Sequence, residues 1–271
     1  MLSSVLLVFV GLVLVALAAE YIDSTLGMGY GTTLTPLLLM LGWQPLQIIP
    51  AILFSELLTG LAAAFFHHAV GNVDLLPRRP SKGILLPSAN GRHLPVALRV
   101  GLVIGSCSLV GTIVAVALAI QLPVFWLKLY IGVLVTAMGL LILFTRKREL
   151  PFSWKRIIGL STVASFNKGL SGGGYGPIVT SGQILSGVGV KSAIAITSLA
   201  EGLTCLVGFS AYLVISGWPG TELLLPLSLG GLLSVPLAGF TVRRMRERNL
   251  RHVIGWVTLA LGAFTLYKVL F

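Results

Sequence analysis

Residues 27–36 read GMGYGTTLTP, and residues 172–181 read GGGYGPIVTS. Both interrupt apolar sequence that would otherwise run on as helix. Each glycine in a helix interior lowers stability by about 1 kcal/mol relative to alanine. Two glycine-rich breaks of the same pattern point to an interruption the fold requires.

The likeness extends outward from the breaks. Shifted by 145 residues without gaps, residues 20–61 match residues 165–206 at eleven of forty-two positions. The identities include Gly27/Gly172, Gly29/Gly174, Tyr30/Tyr175, Gly31/Gly176, Thr35/Thr180, Gly42/Gly187, Glu56/Glu201 and Thr59/Thr204. Two unrelated apolar segments would share leucines and alanines. They would not share Gly-x-Gly-Tyr-Gly, then a glycine, then a glutamate at fixed spacing. The chain is read as an internal duplication.

Composition sets the environment. Of 271 residues, 56% are hydrophobic and 10% charged, with a mean hydropathy of +0.97. Soluble domains carry about 25% charged residues, so a polytopic, all-α membrane protein is expected. The net charge of +11 is not spread as a nucleic-acid surface would be: 14 of the 19 Lys and Arg fall in segments 70–93, 145–156 and 243–251. Short basic loops mark the cytoplasmic face, and no nucleic-acid partner is expected. Cys107 and Cys205 lie in apolar segments and read as free thiols. Ala16-Leu17-Ala18 resembles a cleavage site, but residues 1–19 lack Lys and Arg. The stretch is therefore read as a retained first span.

Each half divides into about five hydrophobic elements. They cover 2–26, 32–42, 45–69, 94–119 and 122–144, then 156–171, 177–187, 190–216, 222–242 and 252–271. The halves are 1–144 and 157–271, joined by a cytoplasmic linker at 145–156. If each glycine break is the tip of a helical hairpin, all three basic loops fall on one face and both termini fall outside. If each is a single broken span, 243–251 lies opposite the others. The charge rule favours hairpins. The second half is then inverted relative to the first, giving 8–10 membrane segments in a bacterial-type inner membrane. Inverted repeats are typical of secondary transporters.

The return arms are short. Residues 177–187 reach about 16 Å as helix, against a bilayer core of about 30 Å. Each tip is expected near the midplane, with Thr32 and Thr33 opening one half-helix and Pro177 the other. A helix N-terminus presents unpaired N–H groups and partial positive charge, and glycines let a ligand approach it. Two such tips form an expected anion site. Its candidate substrate-binding residues are Gly27, Gly29, Tyr30, Gly31 and Thr32 in the first tip, and Gly172, Gly173, Gly174, Tyr175 and Gly176 in the second. Ser24, Thr25, Asn167 and Ser171 are candidate donors, as are the two tyrosine hydroxyls.

These residues resemble a known family. IDSTLGMGYGTTLTPLL, the following SELLTG, and KGLSGGGYGPIVTSGQIL are similar to the sulfite exporter TauE/SafE family of membrane permeases. The resemblance spans both halves. It implies transport of sulfite, organosulfonates or related small organic anions. The first repeat departs from the common family form, with Gly-Met-Gly-Tyr-Gly preceded by Asp23-Ser24-Thr25 instead of a glycine run and proline.

Ionisable groups at bilayer depth cost about 2.5–3.5 kcal/mol each on insertion scales and are functional candidates. Glu56 and Glu201 are repeat-equivalent, and either could carry a coupling proton or lock the fold. Asp23 and Lys168 are also equivalent. Lys168 is expected to face the anion, with Asp23 balancing or gating it; the alternative is an ion pair between them. A proton or Na+ is the expected coupling ion, and the oligomeric state is left open. His67-His68 reads as interfacial, without the i, i+4 spacing of a metal site.

The competing function is a cation or metal-ion carrier using Asp23, Glu56 and Glu201. A third is an intramembrane serine protease, from Gly169-Leu170-Ser171-Gly172. It lacks a histidine expected at membrane depth. No nucleotide-binding loop, enzyme activity, cofactor or resident metal is expected.

Overall fold

The computed structural model describes residues 2–75, 95–118, 152–171 and 173–270, with scattered positions between 125 and 144. Parts of two expected basic segments, with Arg78, Arg79, Lys82, Arg92, Arg146, Lys147 and Arg148, lie outside the described residues. So does Gly172.

The first half contributes α1 (Leu2–Leu26), α2 (Tyr30–Met40), α3 (Pro45–Ala69) and α4 (Val96–Leu118). The second contributes α5 (Trp154–Ser171), α6 (Tyr175–Leu185), α7 (Val190–Ser216), α8 (Leu224–Arg244) and α9 (Glu247–Leu270). The described residues contain no strand. Four of their helices contain stretches long and apolar enough to cross a membrane: Leu6–Leu26, Leu46–Ala69, Val190–Ser216 and Leu224–Arg244. Both α2 and α6 have 11 residues, about 16 Å of helix, and fall short of the hydrocarbon thickness.

Two boundaries differ from expectation. The return helices begin at the motif tyrosines, two residues before the expected positions. Pro177 is thus the third residue of α6, still in the first turn, where its missing N–H breaks no helix bond. The basic segment 243–251 is also mostly helical. Arg243 and Arg244 occupy the last turn of α8, where cations meet the negative end of the helix dipole, and α9 begins at Glu247.

Packing pairs recur when the halves are exchanged. Helix α1 packs on α8 as α5 packs on α4, and α3 packs on α8 as α7 packs on α4. Helices α3 and α7 pack on each other. Their crossing is closed by two glycines: a β-carbon on Gly60 would stand 2.7 Å from the Ser198 carbonyl oxygen, and one on Gly202 would stand 3.1 Å from the Leu61 nitrogen. With little hydrophobic force between helices in lipid, such close backbone packing holds a bundle together. Outward faces remain apolar, as at Leu7, Phe65, Val214 and Leu233.

Candidate functional site

The break after α1 is made by Gly27 at φ 73° and Gly29 at φ 132°, and the break after α5 by Gly174 at φ 76°. Side chains other than glycine are strained at such angles. The helix stops at each break and a new one starts within a few residues.

The tips meet backbone to backbone. A β-carbon on Gly176 would stand 2.6 Å from the Met28 α-carbon and closer still to the Gly27 carbonyl oxygen. One on Gly173 would stand 3.0 Å from the Thr32 nitrogen. Thr180 of α6 donates to the Gly27 carbonyl across this contact at 2.7 Å. The glycines therefore serve both readings: they turn the chain, and they let the two turns touch.

The two tips are dressed differently. At the first, the Asp23 carboxylate accepts the Tyr30 N–H at 3.1 Å. The protein's own anion thus occupies the positive end of α2. At the second, the N-cap is Gly174, which brings no side chain of its own to α6. Lys168, the counterpart of Asp23, points its charge elsewhere.

That charge goes to both repeat-equivalent glutamates. The Lys168 Nζ lies 2.7 Å from Glu201 Oε1 and also pairs with Glu56 Oε2. Exposures are 1% for Lys168, 2% for Glu56 and 3% for Glu201. Lys168 is the one buried Lys or Arg among the described residues. The alternative pairing of Lys168 with Asp23 is corrected: among the described residues, the lysine's salt bridges are to the two glutamates. Three helices, α3, α5 and α7, are pinned at one point. Cys205 adds a thiol 3.6 Å from Glu56 Oε2, and both cysteines are free. With two of the three candidate carboxylates engaged by an ammonium, the cation-carrier arrangement has no ready ligand set here.

Other expected donors are already committed. Ser24 donates to Glu20 at 2.6 Å. The Tyr30 hydroxyl lies 2.7 Å from Ser55 Oγ and donates to the Leu227 carbonyl. Tyr175 accepts from Thr204 at 3.3 Å. The tyrosine hydroxyls therefore brace the tips against neighbouring helices and do not serve as free donors. Thr32 turns its hydroxyl to the Gly29 carbonyl. Thr25 is buried with a partnerless hydroxyl, and Asn167 is fully buried on α5. The Ser171 side chain lies outside the described residues.

The interfacial reading of the histidines is corrected. His67 is 1% exposed. Its Nε2 lies 3.0 Å from the Ser24 carbonyl and its Nδ1 receives Asn72 Nδ2 at 2.9 Å. Both ring nitrogens are spent, which makes the residue a tie between α1 and α3. Tyr212, 145 residues on, makes the matching bond to the Gly169 carbonyl, itself the counterpart of Ser24. His68 is also buried.

Glu20 was not among the expected residues. It is 2% exposed and lies one helical turn before Asp23. An ionisable residue inside the first span is itself the signal. Its counterpart is Ser165, so the repeat comparison does not single it out.

Comparison with known proteins agrees with this architecture. Residues 84–265 match the family Sulfite exporter TauE/SafE. The chain is 26% identical over 265 residues to "Probable membrane transporter protein YtnM" of Bacillus subtilis (strain 168), covering 93% of this chain and 80% of that protein. Matched over most of its length and built from apolar helices around a buried polar centre, the chain belongs to the TauE/SafE family of membrane transporters.

Proposed function

We propose that this transporter carries a small anion of the sulfite or organosulfonate class, bound at the second tip beside Lys168. The observation that carries the reading is the difference between the tips. The N-terminus of α2 already holds Asp23, whereas the N-cap of α6 is Gly174, which brings no carboxylate to it. The substrate would take the place at α6 that Asp23 takes at α2. Residues 174–176 would offer backbone N–H groups.

Lys168 is the switch. With all three side chains ionised, the Lys168–Glu56–Glu201 cluster carries a net charge of −1, which repels an incoming anion. One proton on either glutamate neutralises the cluster and releases the ammonium to meet the substrate. The anion and the proton then travel together. Asp23 gates by holding the first tip closed. The inverted halves would rock about the tip contact to open the site to either face, with the basic loops cytoplasmic.

Proteoliposome uptake tests this. The purified protein is offered sulfite, thiosulfate, a taurine-like sulfonate and short carboxylates, with and without an inward proton gradient. Uptake of one anion class, stimulated by the gradient and lost in Lys168→Ala, supports the proposal. Flux of a divalent cation with no anion response overturns it.

A further inference from the structure

We infer that Glu20, at the interface of α1, α3 and α8, is the anchor of a sodium-ion site separate from the Lys168 cluster. Glu20 is 2% exposed. Both of its carboxylate oxygens accept hydroxyl hydrogen bonds: Ser24 donates to Oε1 at 2.6 Å and Thr59 to Oε2 at 3.1 Å. Among the described residues, both salt bridges to a carboxylate belong to Lys168, and neither reaches Glu20. A buried carboxyl without a basic partner is held either by a proton or by a metal cation, and acceptance at both oxygens is the form that binds a cation.

The surroundings supply oxygens for one. Gly231 of α8 faces this spot: a β-carbon there would stand 3.4 Å from Ser55 Oγ and 3.8 Å from Glu20 Cγ. Ser55 in turn touches the Tyr30 hydroxyl, which reaches the Leu227 carbonyl. Second, and independently, α8 carries two buried hydroxyls without partners, Ser228 and Ser234. They stand three residues either side of Gly231. At 100° per residue, both fall within about 60° of it on the same helix face. Unsatisfied buried polar groups call for a missing partner, and carboxylate, hydroxyl and carbonyl oxygens are the ligands of hard cations. Of the carboxylates around it, Asp23 accepts the Tyr30 N–H and Glu56 and Glu201 pair with Lys168, so Glu20 alone faces the hydroxyls, and one carboxylate favours a monovalent ion.

The second half provides an internal control. There the counterpart of Glu20 is Ser165. Ser165, Ser108, Thr204 and Tyr175 satisfy one another by hydroxyl hydrogen bonds. Without a carboxylate, the hydroxyls there find partners in one another and in the Ile104, Ser161 and Ala200 carbonyls.

This inference does not rest on the anion reading, and the experiment keeps the two apart. Thermal denaturation of the purified protein is followed in NaCl, KCl and choline chloride at equal ionic strength, with no substrate anion. A melting temperature that rises with Na+ and not with K+ or choline is expected, with the Na+ response lost in Glu20→Gln. Ser228→Ala/Ser234→Ala, which spares the carboxylate, should fold and require a severalfold higher Na+ concentration. Equal response to all three salts overturns the proposal, as does a Na+ response preserved in Glu20→Gln. A wild-type response to pH alone makes Glu20 a proton site and overturns it too.

Discussion

At the scale of residues, one lysine holds the centre. Removing one partner of a buried ion pair strands the other and costs about 3–5 kcal/mol. Lys168→Met strands two carboxylates, so a loss at or above that range is expected in denaturant unfolding. Combining it with Glu56→Gln and Glu201→Gln should recover part of the loss, because the stranded charges are removed together. If the triple variant is as unstable as the two effects added independently, Lys168 and the glutamates are not coupled in solution. In transport assays Glu56→Gln and Glu201→Gln should remove the dependence on a proton gradient. Stimulation by the gradient that survives in both would sink the coupling scheme. The sequence showed these groups as candidates because they are ionisable at bilayer depth. It did not show that they meet, since Lys168, Glu56 and Glu201 come from three helices and no spacing along the chain encodes a contact between them. The same limit hid the His67 tie, whose partner, the Ser24 carbonyl, lies 43 residues away on another helix.

At the scale of elements, the glycines divide into those that are crowded and those that are not. Gly176 faces the backbone of the opposite tip. Gly176→Ala should cost about 1–3 kcal/mol from overpacking and slow transport. Gly159, in the middle of α5, has nothing within 4 Å of a β-carbon. Gly159→Ala should be neutral or stabilise by up to about 1 kcal/mol through helix propensity. Comparing the melting temperatures of the two variants checks both statements, and equal effects would mean that the tips do not touch. Most of the described helices were readable to within two residues, because apolar runs and glycine punctuation are local signals, while the polar start of α9 at Glu247 was missed by five. The starts of α2 and α6 were missed by two residues. A tyrosine beside a glycine turn looks like part of the turn until Asp23 is seen capping its N–H.

At the scale of the whole molecule, the duplication predicts sidedness. Thr221 and Arg246 flank α8 and are both exposed. A cysteine at 221 should react with an impermeant maleimide added to intact cells, and one at 246 only after permeabilisation. Labelling of both from one side would remove the spanning role of α8. An inverted relation of the halves is the expectation from loop charge, and the paired packing of helices agrees with a repeat. What the repeat conceals is its own exceptions, because self-comparison rewards identity while Glu20/Ser165 and Asp23/Lys168 differ.

The opposite signs of Asp23 and Lys168 bear on how such a protein can be inherited. Two separate copies of the first half, assembled antiparallel, would bring a pair of aspartates to the centre. Two copies of the second would bring a pair of lysines. Fusing the halves into one polypeptide guarantees one of each in every molecule. A self-pairing first half would hold only carboxylates at its core, and the fused chain supplies the lysine that they lack.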